Sequence, residues 1–212
     1  MSLRVLLLDN DDSFTWNLAL LIRSLGAECE VLNHRETSLA AIKRWRPDRI
    51  VISPGPGHPK DAHLANALLR SYKNSSSLSL TLIPILGVCL GHQCMAHVFG
   101  GASFVGLAPE VRHGKTSTIF HNGKSIFKGM PSPFLAARYH SLIVKKMPKE
   151  FELLCWTPDQ TREESRSPSS KNRLIMGMKH RTLPIVGVQF HPESFLTEHG
   201  EKLMKNFLQH AW

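Results

Sequence analysis

The side chain with the clearest setting for chemistry is Cys89, in the run Gly87-Val88-Cys89-Leu90-Gly91. A glycine two positions on either side of a cysteine lets the chain turn sharply from a strand into a helix without crowding the thiol. This is the spacing of a nucleophile elbow, with sulfur in place of oxygen. A thiol at a helix N-terminus is favoured as thiolate by the peptide dipole. The pattern predicts a nucleophile, although free cysteines also serve as small buried hydrophobic residues.

A second reactive pair lies in the run GVQFHPES, residues 187–194. Pro192 biases His191 toward an extended conformation, and positions two apart in an extended chain project on the same side. His191 and Glu193 are therefore expected to be neighbours. A carboxylate beside an imidazole orients the ring and stabilises its charged form, while the other ring nitrogen faces a nucleophile.

A third motif is the loop PGPGHP, residues 54–59. Prolines stiffen such a loop, and glycines let backbone N–H groups approach a ligand closely. Alone the motif indicates only a tight turn. It follows a predicted strand, however, at the edge of the sheet where open α/β folds bind their ligands. We interpret it as a candidate oxyanion hole.

The segments that must position these motifs alternate between apolar strand-like runs and helical patterns up to Gly101. The later strand-like pieces have few helices between them, which predicts an antiparallel section. The fold class is therefore α/β: an open, mostly parallel twisted sheet flanked by helices, with an appended antiparallel section. The predicted strands cover 4–9, 28–32, 49–53, 82–88, 116–120, 135–139, 151–156, 174–179 and a run from 185, and the predicted helices cover 14–25, 38–45, 61–73, 91–99 and 201–209.

Composition limits the remaining possibilities. With 212 residues and 42% hydrophobic content, the chain can build one substantial core, and we expect a single domain over 1–212. The net charge of +9 comes from scattered basic residues without aromatic interleaving, which favours a solvated surface over nucleic-acid binding. The first apolar run, 5–8, is too short for a leader or a membrane span, so a cytoplasmic protein is expected. The polar segment 159–172 is typical of a mobile loop.

Cysteine and histidine spacing argues against metal and disulfides. The four cysteines have neither zinc-site spacing nor disulfide density, which fits a reducing compartment. None of the twelve histidines forms the His-x-x-x-His pair that places two ligands on one helix face. We expect no metal site, and we interpret four histidines as packing or surface residues: His92, His97, His113 and His140.

Together these motifs resemble those of the Cys-His-Glu (class I) glutamine amidotransferases. The sequence is similar in particular to the small glutaminase subunits of chorismate-using synthases. Six ordered motifs carry the resemblance over nearly the whole chain: LLLDNDDSFTWNL, ISPGPGHP, ILGVCLGHQ, RHGKTSTIFHNGKSIFKGMPSPF, RYHSLIV and GVQFHPES.

The resemblance implies a flavodoxin-like fold and hydrolysis of L-glutamine to glutamate and ammonia. It implies Cys89 as nucleophile, His191 as general acid and base, and Glu193 as the orienting partner of His191. Backbone N–H groups of Gly55 and Leu90 would form the oxyanion hole. The residues implied to hold glutamine are Gly57, Gln93, Ser141 and Leu142.

The resemblance also implies a partner, because ammonia released alone would be wasted. The partner would be a chorismate-using synthase subunit, expected to be magnesium-dependent, whereas no cofactor is expected in this chain. Aminodeoxychorismate synthase and anthranilate synthase both remain open, and the runs HGKTS, HNGK and IMGMKHR favour the first. Asp11, Trp16 and His58 depart from the residues usual in the family, which are tyrosine, tyrosine and threonine.

Two other classes of protein are considered. A non-catalytic module could keep the fold, but the intact set of Cys89, His191 and Glu193 argues against it. A cysteine peptidase could use the same pair of side chains. The glutamine-sized site that Gln93 and Ser141 imply argues against a peptidase.

Overall fold

The computed structural model describes residues 2–74, 83–159 and 173–209. The helices over these residues are α1 (Thr15–Ser24), α2 (Leu39–Trp45), α3 (His63–Lys73), α4 (Leu90–Gly100) and α5 (Gly200–Gln209). The strands are β1 (Arg4–Asp9), β2 (Glu28–Asn33), β3 (Arg49–Ile52), β4 (Ile85–Val88), β5 (Val105–His121), β6 (Phe134–Val144), β7 (Phe151–Pro158), β8 (Arg173–His180) and β9 (Ile185–Val188).

All these strands join one mixed sheet in the order β2-β1-β3-β4-β9-β8-β7-β5-β6. The pairings from β2 to β9 are parallel, and those from β9 to β6 are antiparallel. With β9 as the fifth parallel strand, the parallel half has the flavodoxin-like order 2-1-3-4-5. The predicted fold class is confirmed.

The central parallel strands are buried on both faces because helices cover both sides of the sheet. Every residue of β4 and β9 is buried, which explains why their sequences are continuous apolar runs rather than alternating ones. Along β1, Leu7 packs into the cluster under α1 and α5, whereas Leu6 and Leu8 pack into the cluster under α3 and α4. This alternation follows from the two-residue period of a strand.

The antiparallel half is longer than the sequence predicts. β5 begins at Val105 rather than at 116, and β6 continues to Val144 rather than ending at 139. The first part of β5 pairs only with β6, with irregularities in register between Leu107 and Lys115. Its side chains are mostly exposed or half-buried, so this ribbon lacks the apolar signal of a core strand.

Each helix start differs from the prediction by one or two residues, and two of these differences have a local cause. α1 begins at Thr15, and Asp12 accepts a hydrogen bond from the backbone N–H of Phe14 at 2.8 Å instead of capping the helix directly. α3 begins at His63 because residues 59–61 form a separate 3₁₀ turn. The polar segment predicted over 159–172 lies, apart from Asp159, outside the described residues. No helix within the described ranges is long and apolar enough to cross a membrane.

Helix α4 lies against β3 with no room for a side chain at Gly91. A Cβ atom there would lie 2.6 Å from the carbonyl oxygen of Ile52 and 2.9 Å from its Cβ. Gly91→Ala is therefore expected to lower the free energy of unfolding by about 1–3 kcal/mol, because backbone must move to admit the methyl group. Urea denaturation measures this difference.

Gly106→Ala is the matched control, since its methyl group would meet only the flexible end of the Lys145 side chain, at 3.0 Å. We expect a change within about 0.5 kcal/mol for this variant. Equal unfolding free energies for the two variants would contradict the close packing of α4 on β3.

Candidate active site

Cys89 is the single residue between the end of β4 and the start of α4. Its backbone has φ 50° and ψ −96°, a region that residues other than glycine rarely adopt. Its N–H donates to the carbonyl of Val188 at 2.9 Å, and its own carbonyl accepts from the N–H of Gln93 at 3.1 Å. The strand on one side and the helix on the other thus hold the strained conformation.

The glycines around Cys89 are required by close backbone packing. A Cβ at Gly87 would lie 2.6 Å from the backbone carbon of Gly91, because α4 turns back over the end of β4. Glycine at both positions therefore permits the sharp turn that the sequence predicts.

His191 and Glu193 follow β9, the parallel neighbour of β4. Nδ1 of His191 lies 2.6 Å from Oε1 of Glu193, and both side chains are almost completely buried. The backbone of His191 is also fixed, since its N–H donates to the carbonyl of Ala137 at 3.0 Å and its carbonyl accepts from Oγ1 of Thr197 at 2.6 Å. The carboxylate is placed to orient the imidazole.

Electrostatics favour the charged form of His191. Burial lowers its pKa, but hydrogen bonding and charge attraction with Cys89 and Glu193 outweigh burial and raise the pKa to about 10. Among the described residues, Nε2 makes no hydrogen bond of ordinary geometry, although the thiol of Cys89 is near enough to act on the ring. The imidazole therefore stands between the thiol and the carboxylate.

Two aromatic rings enclose the imidazole of His191. Phe14 and Tyr139 meet it nearly edge to face, with ring centroids at 5.4 Å and 5.0 Å, and they meet each other at 4.8 Å. The Tyr139 hydroxyl lies 3.5 Å from Oγ of Ser194. The side chain of His191 is only 2% exposed among these neighbours, and exclusion of water strengthens its electrostatic contacts.

Gly55 and Leu90, the predicted oxyanion donors, lie at the same edge of the sheet. A Cβ at Gly55 would lie 2.6 Å from Cδ2 of Leu90 and 2.8 Å from the carbonyl oxygen of Asn10, so the loop after β3 is pressed against the start of α4. Leu90 is in the first turn of α4, where a backbone N–H has no acceptor within the helix. Asn10 anchors the loop by donating from its backbone to Oγ of Ser53 at 2.9 Å.

The predicted glutamine-binding residues come from three elements. Gln93, on the first turns of α4, is buried, and its Nε2 donates to the carbonyl of Leu142 on β6 at 2.9 Å. Ser141 is an exposed neighbour of Leu142. Gly57 lies in the loop after β3 with φ 80°, a conformation that favours glycine. The structure thus joins Gln93 to Leu142 directly, while Ser141 and Gly57 are more exposed.

Gln189 is a polar residue of the site that the sequence prediction missed. It is fully buried, its Nε2 lies 3.5 Å from Sγ of Cys89, and its Oε1 accepts from Nε2 of Gln93 at 3.2 Å. The spacing that made His191 and Glu193 neighbours extends to Gln189, two positions before His191. This two-residue alternation is the sequence signal from which Gln189 could have been predicted.

Burial holds two other histidines and three thiols in their neutral forms. Burial lowers the pKa of His92 to about 3, and burial with the nearby charge of Arg138 lowers the pKa of His140 to about 3. Burial raises the pKa of Cys29 to about 11 and also raises the pKa values of Cys94 and Cys155. Within the described ranges, no group of three His, Cys, Asp or Glu residues could hold a metal ion.

Residues 6–211 match the family described as glutamine amidotransferase class-I. The chain belongs to that family. This amidotransferase is 44% identical to anthranilate synthase component 2 of Methanocaldococcus jannaschii, over 97% of this chain and 96% of the relative. It is 45% identical to aminodeoxychorismate synthase component 2 of Escherichia coli, over 96% of this chain and 98% of the relative.

Solved structures share the fold of the amidotransferase. The crystal structure of a protein from Thermoplasma acidophilum, described as a subunit of GMP synthase, superposes with a TM-score of 0.77. The match covers 98% of this chain and 93% of the other, at 23% sequence identity. At this identity the likeness concerns the fold alone.

In this amidotransferase, iodoacetamide is expected to label Cys89 before the other three cysteines. Glu193→Gln should slow that labelling about fivefold at pH 7, because removing the carboxylate lowers the pKa of His191 and weakens the positive charge that stabilises a thiolate. Mass spectrometry of the labelled peptides over time gives the rates.

Glu198→Gln is the matched control, because Glu198 follows on the same segment and its carboxylate accepts from the backbone N–H of Leu135. Its labelling rate should equal that of the unaltered chain. The role assigned to Glu193 is wrong if both variants react equally fast.

Proposed function

We propose that this chain is the glutaminase subunit of a chorismate-using synthase, and that Cys89, His191 and Glu193 hydrolyse L-glutamine. The observation that carries the proposal is the buried contact of His191 with Glu193 at 2.6 Å, next to a cysteine held in a strained elbow. A carboxylate, an imidazole and a thiol in this order suit acyl transfer from an amide.

The first half-reaction releases ammonia. The sulfur of Cys89 attacks the side-chain carbonyl carbon of glutamine, and the negative charge on the oxygen is stabilised by the N–H groups of Gly55 and Leu90. The imidazolium of His191 gives its proton to the amide nitrogen, the C–N bond breaks, and ammonia leaves. A γ-glutamyl thioester on Cys89 remains.

The second half-reaction restores the thiolate of Cys89. Neutral His191 accepts a proton from a water molecule as the water attacks the thioester carbonyl, and the C–S bond then breaks. Glutamate leaves and the thiolate-imidazolium pair forms again. Glu193 keeps the ring in one orientation through both halves, since its contact is to the nitrogen opposite the reacting one.

The glutamine itself would be held by Gly57, Gln93, Ser141 and Leu142. The amide nitrogen of Gln93 is engaged with Leu142, and among the described residues its Oε1 accepts no hydrogen bond. That oxygen is available for a donor on the substrate. The exposed backbone and hydroxyl around Ser141 are suited to the polar end of the amino acid.

The proposed partner is supported by the two named relatives, which are component 2 subunits of anthranilate synthase and aminodeoxychorismate synthase. Their identities of 44% and 45% do not separate the two alternatives. The runs HGKTS, HNGK and IMGMKHR support the aminodeoxychorismate role, in which ammonia serves 4-aminobenzoate and folate synthesis. Anthranilate synthase, or a subunit shared by both enzymes, is the alternative.

Ammonia release from glutamine tests the proposal with the chain mixed separately with each synthase large subunit. Stimulation of at least tenfold by the large subunit of aminodeoxychorismate synthase only is expected, because small changes in the placement of catalytic groups cost large factors in rate. Stimulation only by the large subunit of anthranilate synthase would assign the other pathway, and stimulation by both would indicate a shared subunit.

Cys89→Ala is the control for that assay, since it removes only the sulfur nucleophile. It should show no release above background with either partner. Equal ammonia release by this variant and the unaltered chain would contradict the glutaminase proposal, whichever partner is present.

A further inference from the structure

A series of hydrogen bonds begins at Arg138, a buried cation on β6. This side chain is only 3% exposed, and it donates from Nη1 to Oγ of Ser117 and from Nε to Nε2 of His140, each at 3.0 Å. A guanidinium group has donors only. Nε2 of His140 must therefore accept, and the proton of the neutral imidazole is on Nδ1.

His140 connects this cation to the backbone of the glutamine site. Its pKa is lowered to about 3, first by burial and then by Arg138, so the ring is neutral at physiological pH. Among the described residues, Nδ1 makes no hydrogen bond of ordinary geometry, but the backbone of Leu142 is near enough to act on the ring and opposes the lowering of its pKa. Because Arg138 requires Nε2 to accept, Nδ1 carries the proton. A protonated Nδ1 is compatible with a neighbouring carbonyl, which can only accept.

The same carbonyl fixes two side-chain amides in turn. It accepts from Gln93 at 2.9 Å, so the –NH₂ group of Gln93 must point toward Leu142. That –NH₂ group also lies 3.2 Å from the amide of Gln189, which must present its oxygen there. The –NH₂ group of Gln189 is then left to face Sγ of Cys89, at 3.5 Å.

The opposite orientation of Gln189 would be unfavourable at both of its ends. Two –NH₂ groups would face each other, and an amide oxygen would face the sulfur. In a buried site each such mismatch leaves a polar group without its hydrogen bond and costs free energy. The direction from Leu142 through Gln93 to Gln189 is therefore set by the acceptor-only carbonyl, and the donor-only guanidinium sets the tautomer of the His140 ring beside it.

We propose that Gln189 is a further catalytic residue, whose amide donates a hydrogen bond to the sulfur of Cys89. We also propose that Arg138 is a positioning residue, which holds the His140 ring beside the backbone of Leu142 and so keeps the Leu142 carbonyl in place for Gln93. The inference rests on the proposed function of Cys89 as nucleophile. A hydrogen bond from Gln189 stabilises thiolate over thiol, because bonds to a charged acceptor are stronger than bonds to a neutral one.

The test is the pH dependence of Cys89 alkylation by iodoacetamide in the full chain, followed by mass spectrometry. Gln189→Met keeps the size of the side chain and removes the donor. We expect the midpoint of its profile to move upward by about one pH unit and its rate at pH 7 to fall about tenfold. A profile that overlays that of the unaltered chain would overturn the role of Gln189.

Variants at the far end of the series test the positioning role. Arg138→Met should move the midpoint in the same direction, with a rate about threefold lower at pH 7, because the orientation of Gln189 is then less strictly held. Arg138→Lys keeps a donor-only cation and should restore most of the rate. Ser117→Ala removes a second hydrogen-bond partner of Arg138, and it should lower thermal stability without moving the profile.

The outcomes separate a structural role from a positioning one. If Arg138→Met lowers the melting temperature but leaves the profile unchanged, Arg138 only supports the fold and the positioning role is wrong. If circular dichroism shows that Arg138→Met does not fold, Arg138→Gln is measured in its place, with the same expected shift of the pH profile.

Failure of this inference can be told from failure of the proposed function. If the unaltered chain is labelled at Cys89 and releases ammonia, but the variants leave the pH profile of alkylation unchanged, only the inference is contradicted. An unaltered chain that releases no more ammonia than Cys89→Ala would contradict the proposed function instead.

Discussion

The backbone conformation of Cys89 is the constraint on which the site depends. A positive φ in a residue with a side chain costs on the order of 1–3 kcal/mol and persists only where the surroundings enforce it. Here one hydrogen bond ties Cys89 to β9 and another starts α4, while glycines at 87 and 91 let the helix cross close to the strands beneath it. The thiol is consequently presented at the sheet edge in one orientation.

The order of the strands then assembles the remaining groups around that thiol. β3, β4 and β9 are adjacent and parallel, so the residues that follow their carboxyl ends converge at one edge. Those residues are Gly55, Cys89 and His191, which come from distant parts of the chain. The antiparallel half contributes the opposite wall, because β6 brings Tyr139 against His191 and the Leu142 carbonyl against Gln93. Both halves of the sheet are needed to enclose the site.

What could be predicted from the sequence is what depends on neighbouring residues. The turn at Cys89 and the pairing of His191 with Glu193 follow from spacing and proline, and the parallel strands follow from continuous apolar runs. The early part of β5 could not be predicted, because a ribbon that pairs only with β6 has no buried face to leave a pattern. Arg138 was missed for a related reason: its partner Ser117 is brought to it by the pairing of β5 with β6, and a lone arginine in a strand carries no local signal of burial.

Three buried histidines near the site show how the fold selects one as the charged group. His92, His140 and His191 are all buried, which favours the neutral ring. His140 faces a cation, and neither ring nitrogen of His92 has a hydrogen-bond partner of ordinary geometry among the described residues, so both stay neutral. Of the three, only His191 has a carboxylate on one nitrogen and a thiol near the other, and these reverse the effect of burial. Of these three rings, His191 is thus the one suited to the proton transfer of the proposed reaction, because burial disfavours a positive charge on the other two.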